Sequence, residues 1–381
     1  MRKLSIIIVL AAVCFLTAGC WSKYELTERG FVMGVALDLG EDEKIHMLTQ
    51  IYRPVSSEIG TPTMTTESSV NIKTADDTIM ETIRDIPIHL GRKAQWSHMR
   101  VIIVGEKLAK NTDISKILDL FYRDHEPRSS VKLMISKGPA YKMFEKKPLI
   151  EQTTAQQFLK TEESSFNNAA KTLDTTLLTM IRQLRSPHPD AVVSYVYEDK
   201  ASKDIFSAAG LAVLKRGKMK AIIPASKVEG LIILRNEYSS GVVEIPCPGM
   251  KGEKETTEVL SMDTKTKVDM KGGDIKVHVR LKGEVAIGEL KCTKILDRDS
   301  EKAFLAKVEA AIKKQVHQTV TLLQKSKLDV IGIGNQIYRK SPKTWDKLKK
   351  NWDERFADIP FDYQIEVKLI TSGTISSKPA S

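Results

Sequence analysis

Hydrophobic and polar residues alternate along this chain with the two-residue period of strands and the three-to-four-residue period of helices. Alternation at every second position, or a short apolar run bounded by turn residues, predicts a strand. Stretches of this kind lie at 30–38, 44–53, 100–105, 131–135, 191–198, 205–215, 219–223 and 361–371. A further alternating region spans 253–295, where Gly272-Gly273 predicts the turn of a β-hairpin.

Apolar residues spaced three or four positions apart predict helices between the strands. One helix is predicted after Asp76-Asp77, which would supply its N-cap and a negative first turn. Residues 58–67, rich in Thr, Ser, Pro and Gly, predict a surface loop. The other predicted helices begin at Asp113 or span 153–185, 300–325 and 343–356. Because strands and helices mix in both halves, the predicted fold class is α+β, multi-domain, with mixed β-sheets and packed helices.

The 381 residues of the chain are enough for two or three domains with separate cores. Prolines and polar residues at 186–189 indicate a boundary region, followed by a strand that still belongs to the first half. We therefore predict an N-terminal α/β domain at 20–200, with a further division near 140–150. We predict a C-terminal α/β domain at 201–376 that contains the long helix 300–325.

The first residues have the pattern of a secretion signal. Two basic residues, Arg2 and Lys3, precede a 13-residue run from Leu4 to Leu16 whose only polar member is Ser5. This run is too short to span a bilayer, which takes about 20 apolar residues, but it matches the basic and apolar regions of a signal peptide. A buried core helix, the alternative, does not usually begin in this way. We therefore predict a signal peptide at 1–19.

Cys20 follows Ala18-Gly19 directly, as the lipidated cysteine does in the lipobox of bacterial lipoproteins. Thr17 stands where that motif usually has Leu, and Leu16 lies one place earlier. The resemblance implies a covalent diacylglycerol on Cys20, with acyl chains such as palmitate. Cys20 would then be the first residue of the mature chain. Two acyl chains anchor a protein durably, because each buried methylene contributes about 0.8 kcal/mol.

The composition is that of a globular protein, with 41% hydrophobic and 28% charged residues. A formal charge of +11 would suit either anionic lipid headgroups or nucleic acid. Basic and acidic residues are interleaved, however, as in 347–355, so we expect a mixed-sign solvated surface and no nucleic-acid partner. Cys247 and Cys292 remain in the body of the chain. Without a spacing motif they are predicted to be two free thiols, with a disulfide as the alternative.

The sequence lacks a convincing catalytic or metal-binding pattern, so we expect no enzymatic activity, cofactor or metal. Gly332-Ile333-Gly334 resembles the start of a dinucleotide loop, but Ile337 occupies the position of the third glycine. The seven histidines lack the spacing of metal ligands. His98 is expected to be a hydrogen-bonded histidine at a strand entrance rather than a ligand or base.

An aromatic stripe lies on one face of the predicted helix 343–356. It consists of Trp345, Leu348, Trp352 and Phe356. Packing into the core is the default interpretation of such a stripe. The alternative is a face that docks a partner through Trp345, Trp352 and Phe356.

Four segments together resemble the Ger(x)C family of spore germination lipoproteins, the C subunits of nutrient germinant receptors. These segments are Gly19-Cys20-Trp21 with Glu25-Leu26 and 34–38, then 96–106 with 121–128, then 208–215, and finally 328–334 with 342–352. Their order and spacing cover nearly the whole chain. Ser22 departs from the pattern, in which an acidic residue commonly follows the tryptophan.

The resemblance implies a non-enzymatic subunit with several mixed α/β domains. It would be lipid-anchored to the outer face of the spore inner membrane through Cys20. It would assemble there with membrane-embedded A and B receptor subunits to start germination in response to small nutrients.

Two other functions stay open at this point. An extracytoplasmic solute-binding lipoprotein would have a ligand cleft and measurable affinity for small molecules. A cell-wall enzyme would need paired carboxylates, which have no sequence motif, or a zinc site.

Overall fold

The computed structural model of the chain describes residues 28–53, 68–199, 201–202 and 205–371. The predicted signal peptide, Cys20 and the predicted loop at 58–67 lie outside the described residues. Within those ranges, every helix is too short or too polar to cross a membrane.

The described strands and helices mix in both halves of the chain, which confirms the predicted α+β class. The strands are β1 (Arg29–Leu39), β2 (Ile45–Tyr52), β3 (Ser69–Asp76), β4 (Lys93–Gln95), β5 (Val101–Gly105), β6 (Lys132–Ser136), β7 (Ala191–Glu198), β8 (Phe206–Lys215), β9 (Lys218–Ile223), β10 (Gly241–Pro246), β11 (Lys254–Lys271), β12 (Asp274–Glu289) and β13 (Phe361–Thr371). The helices are α1 (Ile79–Leu90), α2 (Glu106–Asn111), α3 (Ile114–Arg123), α4 (Tyr141–Phe144), α5 (Thr154–Ala169), α6 (Leu177–Leu184), α7 (Ala225–Leu234), α8 (Arg298–Lys325), α9 (Ile333–Lys340), α10 (Pro342–Leu348) and α11 (Trp352–Asp358).

The first sheet has a parallel centre and antiparallel flanks. Its order is β3-β2-β1-β5-β6-β7-β8-β9, with β4 paired to one end of β1. Neighbours among β1, β5, β6 and β7 run parallel, whereas β2, β3, β8 and β9 are joined as antiparallel ribbons. Parallel neighbours need long crossover connections, and α1 to α6 lie in those connections.

Both faces of this sheet are covered, which explains why its central strands are continuous apolar runs. In β5, Ile102 and Val104 belong to the core on one face, and Val101 and Ile103 belong to the core on the other. All four side chains are fully buried.

The second sheet has the order β10-β11-β12-β13 and packs against the long helix α8. Gly272 and Gly273 form the β11–β12 turn with positive φ of 58° and 98°, which confirms the predicted hairpin. Helix α8 begins at the capping box formed by Asp297 and Ser300. Its apolar face, which includes Phe304 and Val308, is fully buried.

The first sheet continues beyond residue 200, where the sequence analysis placed a domain boundary. Strand β8 pairs antiparallel with β7, and β9 pairs with β8. Leu211 and Val213 of β8 also belong to the core of the second half, while Ala212 and Leu214 belong to the core of the first. One strand therefore contributes to the cores of both halves.

Cys247 and Cys292 form a disulfide with a Cα–Cα distance of 5.9 Å, so the prediction of two free thiols is wrong. The spacing of the two cysteines in the sequence does not indicate that they pair. They are brought together because β10 and β12, which they follow, both pair with β11. The buried Glu255 carboxylate accepts hydrogen bonds there from the backbone N–H groups of Lys291, Cys292 and Thr293. These bonds outweigh the effect of burial and lower the pKa of Glu255.

Two predicted helices are each divided in the structure. The 153–185 prediction covers α5 and α6, because Ala170 takes a left-handed conformation that ends α5. The 343–356 prediction covers α10 and α11, which a 3₁₀ turn at Lys349–Asn351 separates. The N-cap of α1 is Thr78, whose side chain accepts from Glu81 N–H, rather than Asp76 or Asp77.

Candidate functional site at the junction of the two halves

The segment at 186–190, between α6 and β7, is held by a single asparagine of the second half. The backbone N–H of His188 donates to Asn335 Oδ1 at 2.9 Å. Asn335 Nδ2 donates back to the His188 carbonyl at 3.1 Å and to Ser186 Oγ at 3.2 Å. These bonds link residues 147 and 149 positions apart in the sequence. They hold the 186–190 segment against helix α9. The sequence analysis had interpreted this segment as part of a boundary region.

Asp329 organises the turn that presents Asn335. Its carboxylate accepts from the backbone N–H groups of Gly332, Ile333 and Gly334, at 2.9, 2.9 and 2.6 Å. It also accepts from Trp352 Nε1 at 3.0 Å. The side chain is fully buried, and burial raises its pKa while these hydrogen bonds oppose the rise. Asp329 therefore caps α9 and orients Trp352 at the same time.

The Gly-x-Gly pattern at 332–334 serves this turn. Gly332 has a φ of +88°, a conformation that residues with a Cβ rarely adopt. A Cβ on Gly334 would lie 2.7 Å from the Trp345 ring and 3.0 Å from Trp352 Nε1. The two glycines are thus explained by the turn and by close aromatic packing, and not by a dinucleotide loop.

The aromatic stripe packs inside the chain. Trp345, Trp352 and Phe356 are 2%, 1% and 0% exposed. The Trp345 and Trp352 rings meet edge to face at 5.2 Å, and the His188 ring lies 5.8 Å from the first and 6.4 Å from the second. The stripe is therefore not an exposed face that could dock a partner. Its side chains belong to the core, and the 186–190 segment packs against them.

Carboxylates surround His188. Its Nε2 lies 3.1 Å from Asp190 Oδ2. A carboxylate oxygen of Asp353 lies within 4.8 Å of a potential ligand atom of each of these two residues. His188 and Asp190 are 8% and 7% exposed, whereas Asp353 is partly exposed and pairs with Lys215 of β8. Burial alone would lower the pKa of His188, but the carboxylates of Asp190, Asp329 and Asp353 outweigh it and raise the pKa.

A polar cleft opens beside this junction, with a volume of about 660 Å³. One wall is formed by α6 and the 186–190 segment, and the other by residues 234–237, β11 and the start of α9. Three arginines line it, Arg182, Arg235 and Arg339. Arg235 is held by Glu237 and by the Val330 carbonyl. The cleft therefore suits small hydrophilic molecules or ions better than apolar ones.

A second buried polar cluster lies inside the first half. Lys132 Nζ is 3.0 Å from Glu162 and also bonds to Asp174. Glu162 is fully buried and accepts from the backbone N–H of Thr175 and from Ser194 Oγ. Burial raises the pKa of Glu162 to about 7, against the opposing effect of Lys132. Asp174 is half exposed, so the cluster reaches the surface through it, while Lys132 and Glu162 link β6 to α5 inside the first half.

The residues singled out in the sequence do not converge on one site. Cys20 lies outside the described residues. His98 is exposed and contacts Phe31 edge-on at 5.0 Å, in a 3₁₀ turn at the entrance to β5. The junction is built instead from His188, Asp329 and Asn335, which sequence reasoning missed. The available signal was the Gly-x-Gly pattern at 332–334.

The fold and junction define an α+β protein whose two halves, each with a mixed sheet, meet at a buried polar junction beside an open cleft. Two family models match the chain, the spore germination protein N-terminal domain at residues 22–197 and the spore germination B3/GerAC-like C-terminal domain at residues 209–373. The chain belongs to this Ger(x)C family of spore germination receptor subunits.

Known relatives match nearly end to end. Spore germination proteins KC and B3 of Bacillus subtilis (strain 168) are 25% and 26% identical to the chain. The alignments cover 98% and 96% of this chain and 96% of each relative. The crystal structure of the GerBC protein matches with a TM-score of 0.55 and 22% identity, over 88% of this chain and 97% of that one. That likeness concerns the fold alone.

Proposed function

We propose that this chain is the lipid-anchored, non-enzymatic C subunit of a spore nutrient germinant receptor. It would lie on the outer face of the spore inner membrane and assemble with membrane-embedded A and B subunits. The observation that carries the proposal is the position of Cys20, two residues before a family match that runs from 22 to 373 with a short gap. The family match supports the receptor role, and the position of Cys20 supports the lipid anchor.

The anchor would act at the end of a short tether. Only eight residues, 21–28, lie between Cys20 and the first strand of the described residues, which begins at Arg29. Two acyl chains would bury enough methylene groups to hold the chain at the bilayer without a spanning helix. Without Arg2 and Lys3 of the signal, the mature chain would have a formal charge of +9. This charge would favour the same surface, because each lysine or arginine near anionic headgroups contributes about 1 kcal/mol.

A direct test compares the wild-type chain with a Cys20→Ala variant, produced in a spore-forming host. We expect the wild type to begin at Cys20, to carry the mass of a diacylglyceryl group and to partition with membranes. The variant should lose all three properties. Cys14→Ala is the matched control, since Cys14 lies in the apolar run of the predicted signal. Wild-type protein that is cleaved and released without lipid would contradict the anchored role.

The cleft favours one second candidate, an extracytoplasmic solute-binding lipoprotein. Its volume of about 660 Å³ and its arginine-containing walls would admit a small polar solute. A thermal-shift screen of the purified chain against amino acids and sugars separates the two functions. A receptor C subunit should show little or no shift on its own, whereas a solute-binding protein should be stabilised strongly by its ligand.

A further inference from the structure

Two of the polar atoms at the junction face one another without making a hydrogen bond. His188 Nε2 and Asp190 Oδ2 are only 3.1 Å apart, yet each is buried and lacks a hydrogen-bond partner within the described part of the chain. The distance is short enough for a hydrogen bond, so the angle between the two groups is what is unsuitable for one. A buried polar atom without a partner is costly. The two atoms are therefore close enough to share a third partner, and the described residues do not supply one.

We propose that this position binds a divalent transition-metal ion of the zinc class, coordinated by His188 Nε2, Asp190 Oδ2 and a carboxylate oxygen of Asp353. Two ligand atoms that are each about 2.1 Å from a metal, at the angles of tetrahedral or octahedral coordination, lie about 3.0–3.4 Å apart. The separation of 3.1 Å between Nε2 and Oδ2 falls in this range. One carboxylate oxygen of Asp353 lies within 4.8 Å of a potential ligand atom of each of the other two residues, so all three side chains can contribute to one site.

The local charge fits a dication. Three carboxylates converge here, those of Asp190, Asp329 and Asp353, and Lys215 neutralises one negative charge. With the neutral imidazole that coordination requires, the surplus is two negative charges. Asp329 is not a ligand, because its oxygens are already occupied by backbone N–H groups and by Trp352 Nε1. Lys215 bonds to Asp353 Oδ2, which leaves the other oxygen of that carboxylate for the ion.

The donor set selects the class of metal. An imidazole nitrogen favours zinc and its neighbours over Mg²⁺ and Ca²⁺, which prefer ligand sets made only of oxygen. Asp190 also lines the polar cleft, so the cleft offers an entry path and water molecules for the remaining coordination positions. The ion would tie the 186–190 segment of the first half to helix α11 of the second. This inference is independent of the proposed receptor function.

The test uses the full chain in detergent, stripped of metal by a chelator and then titrated with Zn²⁺ by calorimetry. We expect one equivalent to bind and the midpoint of thermal unfolding to rise. His188→Gln and Asp190→Asn should each weaken the affinity at least tenfold. His278→Gln is the matched control, because His278 also lies near two aspartates, Asp269 and Asp362, but at an exposed site. This control should bind Zn²⁺ as the wild type does.

Co²⁺ provides a second readout, since it takes similar ligands and quenches nearby tryptophan emission. Trp345 and Trp352 lie 5.8 and 6.4 Å from the His188 ring, so their emission should fall as the site fills. If His188→Gln or Asp190→Asn fails to fold, the partly exposed Asp353→Asn takes its place with the same readouts. Absence of Zn²⁺ binding, equal binding by the site variants, or preference for Mg²⁺ or Ca²⁺ over Zn²⁺ would overturn the proposal.

Discussion

Asn335 and the backbone of His188 bond to each other in both directions, at 2.9 and 3.1 Å, although one residue lies in each half of the chain. The side-chain amide of Asn335 thus pairs with the backbone of His188 as a neighbouring strand would. Its oxygen accepts from the N–H, and its nitrogen donates to the carbonyl. This pairing makes the two halves interdependent. It also places His188 against the two tryptophans of the second half.

Loss of the Asn335 amide should destabilise the protein. Asn335→Ala leaves the His188 N–H without its partner, while the His188 carbonyl still accepts from Ser186 Oγ. The unsatisfied N–H should lower the free energy of unfolding by about 1–3 kcal/mol. Urea denaturation followed by tryptophan fluorescence measures the change. Asn168→Ala is the control, because the Asn168 side chain is exposed and bonds to Ser164 on its own helix. Equal effects of the two substitutions would show that the junction bonds contribute little.

Removal of the Asp329 carboxylate should have a larger effect. Asp329→Ala leaves three backbone N–H groups and Trp352 Nε1 unsatisfied in a buried environment. We expect a loss of more than about 3 kcal/mol in the free energy of unfolding. Near-ultraviolet circular dichroism should also change, because Trp352 loses the bond that orients it. Asp346→Ala, at an exposed carboxylate in α10, should leave both properties close to those of the wild type.

The disulfide should contribute measurably to stability. It closes a loop with a sequence separation of 45 residues, and the loss of this constraint on the unfolded chain costs about 2–4 kcal/mol. A Cys247→Ser/Cys292→Ser double variant should therefore unfold at lower denaturant concentration than the wild type. A reducing agent should lower the wild-type midpoint and leave that of the variant unchanged. Recovery of two free thiols from unreduced, unfolded wild type lacking residues 1–20 would refute the pairing.

The buried Glu162 should make stability depend on pH. Its pKa is about 7 in the folded protein and has the ordinary value of 4.5 when unfolded. Between these values the folded state binds the extra proton, so this group makes stability fall as pH rises from about 4.5 to 7. The unfolding free energy of the wild type, relative to Glu162→Gln, should therefore decrease over that interval. Glu163→Gln, at the next position of the same helix, should retain the decrease, and a pH-independent difference for Glu162→Gln would contradict this account.

The spacing of apolar residues predicted most of the described strands and helices. This is because the buried face of each element requires apolar residues at a fixed spacing. The strand at 191–198, the helix that begins at Asp113 and the Gly272-Gly273 hairpin are all present. Strand β3 was not predicted, since only Ile72 and Thr74 of its eight residues are buried and its sequence is largely polar. Backbone pairing with β2 stabilises β3 as a strand, although few of its side chains are buried.

The junction could not be predicted, because it depends on contacts between distant residues. Asp329 and Trp352 are 23 positions apart and His188 and Asn335 are 147 apart, and no local pattern relates either pair. The prolines at 187 and 189 had the composition of a linker, yet the histidine between them is 8% exposed. The disulfide was missed for the same reason, since strand pairing and not sequence spacing brings its cysteines together.

We propose above all that the chain works as one subunit of a receptor. The most direct test is affinity purification of the tagged, full-length chain from the membranes of dormant spores. Quantitative mass spectrometry then identifies what accompanies it. We expect A-type and B-type membrane subunits in amounts comparable to the chain itself, and their loss from the membrane fraction purified with Cys20→Ala. Recovery of the wild-type chain alone, from spores that contain both membrane subunits, would contradict the receptor role.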